Sequence, residues 1–124
     1  MNKIGQNIIN MPILVLAFVG DSVFDVYVRS GLALGEPAKV NALHKRAVSI
    51  VNATAQAEFF ATIKGKLTEE ETAIFNRGKN AKVNVPANAN ARDYSIATGF
   101  EAVLGALYLA GEHSRVAELL SELL

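Results

Sequence analysis

The stretch MPILVLAFVGDSVFDVYV, residues 11–28, runs almost unbroken in apolar side chains over about the length that spans a membrane. Two carboxylates, Asp21 and Asp25, argue against that use of it. Each would cost roughly 2.5–3.5 kcal/mol near the middle of a spanning helix, so the pattern predicts a helix of a soluble protein with no membrane partner. A cytoplasmic location is the accompanying expectation, because residues 1–10 carry one lysine and no apolar run long enough for a signal-peptide core. Pro12 suits a first helical turn, and this helix should reach about Ala33 and end near Gly31 or Gly35.

Outward from that segment the apolar spacing stays helical. Pro37 should open a second helix with Val40, Leu43, Ala47 and Val51 facing inward. Asn52 can cap a third, which carries Ala55, Phe59, Phe60 and Ile63 and stops at Gly65. Thr68-Glu69-Glu70-Glu71 matches a capping box and predicts a short helix to Gly78. Lys79 to Asp93, with Asn80, Asn84, Asn88, Asn90 and Pro86, is the one substantial irregular stretch, and loops of that length are usually functional or disordered. A helix from about Asp93 to Ala110 follows, closed by Gly111, and Ser114 can cap a last one to Leu124. With no strand-like alternation, the chain is expected to be all-α, one helical domain over residues 1–124 with a flexible N-terminal segment at 1–10.

Composition narrows the chemistry. A chain that is 51% hydrophobic and 19% charged can build a core and is not of the disordered class. Cysteine is absent, which excludes disulfides, thiolate metal sites and cysteine nucleophiles, and two histidines leave little scope for a zinc site. Any metal would rest on oxygen ligands, as magnesium, manganese and calcium do. The zero net charge hides an uneven distribution: residues 39–92 hold nine Lys and Arg against four Glu, while both ends are acidic. Between Thr72 and Arg92 stand Arg77, Lys79, Lys82 and Arg92 with no acid, a field suited to phosphates.

Two carboxylates lack an evident local partner. Asp21 lies on an apolar helix with the like-charged Asp25 four residues on, and Glu101 has no Lys or Arg within four positions. Asp25 has an ordinary explanation in an i,i+4 pair with Arg29. For Asp21 and Glu101 the choices are a distant basic partner, exposure on a rim, or a divalent cation shared between two helices.

The residues also carry a family resemblance. Phe18-Val19-Gly20-Asp21-Ser22-Val23 resembles the aromatic-x-Gly-Asp-Ser/Ala-Val signature of the ribonuclease III catalytic domain, and residues 99–109, GFEAVLGALYL, resemble its second acidic helix. Together with Asn41-x-Leu43-His44-Lys45, Arg77-Gly78-Lys79-Asn80-Ala81-Lys82 and Tyr94-x-x-Ala97-Thr98-Gly99, they resemble the short Mini-ribonuclease III family, which lacks a double-stranded-RNA-binding domain. The likeness runs from about Pro12 to the end. Full-length ribonuclease III has glutamates four and seven positions before the signature aspartate, where this chain has Ala17 and Leu14, and an aspartate where it has Thr98.

The resemblance implies a ribonuclease III-like helical bundle and Mg²⁺-dependent cleavage of double-stranded RNA, with Mn²⁺ as a possible substitute and no small-molecule organic cofactor. Asp21 and Glu101 would be the catalytic metal ligands, and the products would carry 5′-phosphates. The expected substrate is a precursor of large-subunit (23S) ribosomal RNA. Arg77, Lys79, Asn80, Lys82, Arg92 and Lys45 are the candidate RNA contacts, since duplex RNA is read largely through its phosphates and 2′-hydroxyls. His44 and Asp25 are possible neighbours of the site. Phe18 matches the aromatic position that packs into the partner subunit of a homodimer, with core packing as the other possibility. Two other functions compete: a non-catalytic RNA-binding or ribosome-associated helical protein of the same fold, and an all-α interaction module with no RNA role.

Overall fold

Seven α-helices and one turn of 3-10 helix make up the computed structural model, which describes residues 4–124 and has no strand among them. In chain order they are α1 (Gln6–Ile9), α2 (Ile13–Leu34), α3 (Val40–Val51), α4 (Ala53–Ile63), the 3-10 turn (Lys64–Lys66), α5 (Glu69–Lys79), α6 (Ala91–Leu109) and α7 (His113–Leu120). The all-α class expected from the periodicity is the observed one. No helix among the described residues is long and apolar enough to cross a membrane.

The centre is α6, whose stretch from Ala97 to Leu107 is buried apart from Glu101. A helix that is apolar on nearly every side must be surrounded. It packs most extensively against α2 and then against α5 and α4. From α2 come Leu16, Ala17, Val23, Phe24 and Val28, at the spacing of one helical face. Phe100 meets Phe24 edge-on at 5.9 Å and Phe60 at 5.4 Å, and Phe60 stacks on Phe75 at 4.2 Å. These rings join the four helices into one core.

Two glycines set the closeness of α2 and α6. A Cβ on Gly20 would stand 1.7 Å from the backbone oxygen of Glu101, and one on Gly105 would stand 1.9 Å from that of Leu16. Only hydrogen fits at either place. Because Gly20 precedes Asp21 and touches Glu101, the contact that brings the helices together also brings their carboxylates together.

Local capping follows the sequence in most places. Asn52 accepts from Ala55 N at 2.9 Å, and Thr68 and Glu71 form the reciprocal capping box. The central irregular stretch is shorter than expected, because Asn90 accepts from Asp93 N at 3.0 Å and starts α6 at Ala91. Gly111, at φ +78°, ends α6 in a Schellman turn, with its N–H donating to Tyr108 O and Glu112 N–H to Leu107 O. α7 then begins at His113, without the expected Ser114 cap, and ends at Leu120 instead of Leu124. The second helix starts at Val40, three residues after Pro37.

Part of the segment expected to be flexible meets the core, with Ile8 and Ile9 half-buried against it and Gly5, Gln6, Asn7 and Asn10 exposed. Ile4 is buried and donates its N–H to Glu70 Oε1 at 3.1 Å, and α1 follows; residues 1–3 lie outside the described residues. A second long-range tie joins α5 to α7. Arg115 grips both oxygens of the buried Glu71 at 2.7 and 2.9 Å and donates to Lys66 O at 2.7 Å. Burial pushes the Glu71 carboxyl up, but the Arg115 bonds and charge together with the Thr68 amide and hydroxyl outweigh it and hold the group below the usual range.

Candidate active site

Asp21 on α2 and Glu101 on α6 face one cleft of about 350 Å³, walled by residues of α2, α3, α4, α6 and the segment before α6. Asp21 is exposed at its mouth, on the rim as one of the readings of the sequence allowed, because α2 turns this face toward the cleft and not into the core. Glu101 lies deeper, half-buried, one helical turn beyond Ala97. Burial, then a hydrogen bond and charge repulsion from Asp21, push the Glu101 carboxyl up to about 8, against the opposing pull of Gln56. Two acids this close resist ionising together, and a proton or a cation between them relieves the repulsion.

The cleft wall includes a residue that sequence reasoning did not single out. Gln56 of α4 is 2% exposed and donates its Nε2 to Glu101 Oε2 at 3.4 Å. A signal was present, since Gln56 is spaced one and two turns before Phe60 and Ile63 and so belongs to the inward face of α4. Thr98 also lines the cleft, but its hydroxyl donates back to Tyr94 O at 2.9 Å, a bond within α6. Val83 and Tyr94 bring the segment between α5 and α6, and the first turns of α6, to the rim.

A family model for the Ribonuclease III domain matches residues 14–112. The chain is 42% identical over 117 residues to Mini-ribonuclease 3 of Clostridium tetani, covering 93% of this chain and 78% of that protein. It is 44% identical over 116 residues to Mini-ribonuclease 3 of a Thermoanaerobacter species, covering 93% and 82%. The chain belongs to the Mini-ribonuclease 3 family. It is by family an endoribonuclease. The crystal structure of a Fusobacterium nucleatum protein, 28% identical and matched over 94% of both chains, superposes with a TM-score of 0.84.

The other candidate residues of this Mini-ribonuclease 3 family member are dispersed around the cleft or away from it. Asp25 is outside the cleft and bonds Arg29 at 2.9 Å, as the i,i+4 spacing suggested. His44 is exposed on α3 and borders a separate hollow with Arg29 and Val40, so the fold does not bring it to Asp21 and Glu101. Lys45 is exposed on α3, Lys79 and Asn80 end α5, Lys82 follows them, and Arg92 lies in the first turn of α6, all facing solvent. Arg77 is exposed too, but its guanidinium already donates to Ile9 O at 2.9 Å and Met11 O at 3.3 Å. Phe18 is 78% exposed, which rules out core packing within this chain. It borders both the cleft and an apolar groove formed with Val19, Val23, Val26 and Tyr108.

Proposed function

We propose that this protein is a divalent-metal-dependent endonuclease that cuts double-stranded RNA at the Asp21–Glu101 pair. It acts as a two-fold dimer in the cytoplasm on a precursor of large-subunit (23S) ribosomal RNA and leaves 5′-phosphate and 3′-hydroxyl ends. The observation that carries this is the pair itself, two facing carboxylates in an open cleft, one of them raised to about 8 by burial and by the other.

The donor set fits Mg²⁺, with Mn²⁺ as a substitute. Among the described residues no cluster of three His, Cys, Asp or Glu forms, so the protein contributes two hard oxygen ligands. Mg²⁺ is commonly held by one or two carboxylates, with waters and substrate phosphate oxygens completing its shell. When bound, the ion supplies polarisation of the scissile phosphate and a water of lowered pKa. Asp21 and Glu101 provide the negative charge that holds it, and the cleft leaves room beside them for a phosphate. Lys79, Asn80, Lys82, Arg92 and Lys45 meet the duplex backbone outside the cleft, and Phe18 meets the partner subunit.

Asp21→Asn and Glu101→Gln keep each side chain's shape and remove its charge. Each is expected to abolish cleavage of a labelled RNA duplex at saturating Mg²⁺ while duplex binding is largely kept, because binding rests on basic residues elsewhere. Near-normal cleavage by either variant removes that residue from the site, and wild-type cleavage undiminished by EDTA removes the metal.

A further inference from the structure

Three polar or charged side chains are buried among the described residues: Glu71, Thr98 and Gln56. Glu71 is absorbed by its capping box and Arg115, and Thr98 by the carbonyl of Tyr94. Gln56 alone of the three directs its side chain at a residue of the proposed site. Burying an amide is unfavourable unless its hydrogen bonds are made, and an apolar residue would fill the same place on α4 without that requirement. Its neighbours on the inward face, Phe60 and Ile63, are apolar.

We propose that Gln56 is a positioning residue: its buried amide holds Glu101 in the orientation that binds the divalent cation. This rests on the metal-binding reading of Asp21 and Glu101. The choice of amide suits the task. A lysine or arginine at this place would neutralise Glu101 and compete with the cation, whereas an amide N–H fixes one carboxylate oxygen and leaves the charge in place. Gln56 comes from a third helix, so Glu101 is held from α4 while Asp21 approaches from α2. The 3.4 Å bond is long for N–H···O, and Glu101 is drawn at the same time toward Asp21. Gln56 keeps the carboxylate from collapsing wholly onto its acidic neighbour. Ligating carboxylates are themselves commonly hydrogen-bonded, and loss of such a partner typically weakens metal binding by about 10–100-fold.

The test uses Mg²⁺ alone, without RNA. In Gln56→Leu, isothermal titration is expected to show Mg²⁺ binding weakened by about 10-fold. The cleavage kcat should fall and the Kd for a duplex should stay unchanged, with thermal unfolding in EDTA as the check on folding. In the wild-type protein the side-chain amide NMR signal of Gln56 should move on Mg²⁺ addition with the same midpoint as the titration, and in Glu101→Gln it should stay still. Wild-type Mg²⁺ affinity in a folded Gln56→Leu overturns the inference. So does a Gln56 amide signal that ignores Mg²⁺, which decides the matter even if the variant fails to fold. A wild-type protein that takes up no Mg²⁺ at all overturns the metal-binding reading itself, and this inference with it.

Discussion

At the scale of single residues, Glu101 gives the protein an unusual pH dependence. Its carboxyl is raised from 4.5 to about 8 in the folded chain, chiefly by burial and then by Asp21. The folded state therefore holds this proton more tightly than the unfolded state does, and stability falls as pH rises. The contribution is fully present below about 4.5, is lost progressively between there and about 8, and is gone above. Metal-free protein should thus unfold at lower urea concentration at pH 8 than at pH 6. Glu101→Gln should remove this part of the slope, and an equal slope in the variant would mean that other groups carry it. Glu71 contributes in the opposite sense, since its lowered carboxyl loses stability only at acid pH.

At the scale of elements, the site depends on how closely α2 and α6 cross. Gly20→Ala would place a methyl group 1.7 Å from Glu101 O, and no side-chain rotation can relieve a clash with backbone. The helices must separate, at a cost of about 1–3 kcal/mol typical of overpacking. Because Asp21 is the next residue, the same displacement moves it away from Glu101. The expected outcome is a lower Tm together with a loss of cleavage larger than the loss of duplex binding. Unchanged cleavage in a folded Gly20→Ala protein would show that the carboxylate separation tolerates such a shift.

At the scale of the whole molecule, the surface divides into a basic stretch and an apolar face, each with its own test. Replacing Lys79 and Lys82 with alanine should weaken binding to unrelated duplexes by a similar factor. It should also flatten the dependence of log affinity on log salt, by about one unit for each phosphate that is no longer neutralised. Arg77→Ala should instead cost stability, because that guanidinium ties the end of α5 to the backbone before α2. An unchanged salt slope in the lysine variant would place the RNA along another face. Phe18, 78% exposed beside Val15 and Val26, is the largest apolar side chain presented by α2. Its truncation to alanine should weaken the proposed dimer by about 1–2 kcal/mol or more, visible in sedimentation at micromolar concentration. A wild-type protein that is monomeric there would remove the dimer.

What acts along the chain was legible in the sequence. Helical periodicity, the Asn52 cap, the Thr68–Glu71 capping box, the Gly111 stop and the Asp25–Arg29 pair all depend on residues a few positions apart. The two acids without local partners were equally plain, since a missing i±4 base can be read directly. Tertiary structure decided how distant residues meet: that Asp21 opens into a cleft with Glu101, that Gln56 reaches that glutamate from α4, and that Arg115 crosses to Glu71. It also withdrew Arg77 toward Ile9 and Met11 and left Phe18 uncovered. Caps and periodicity arise from bonds within a turn or two, whereas these pairings follow from the crossing of whole helices, set where Gly20 and Gly105 let two backbones touch.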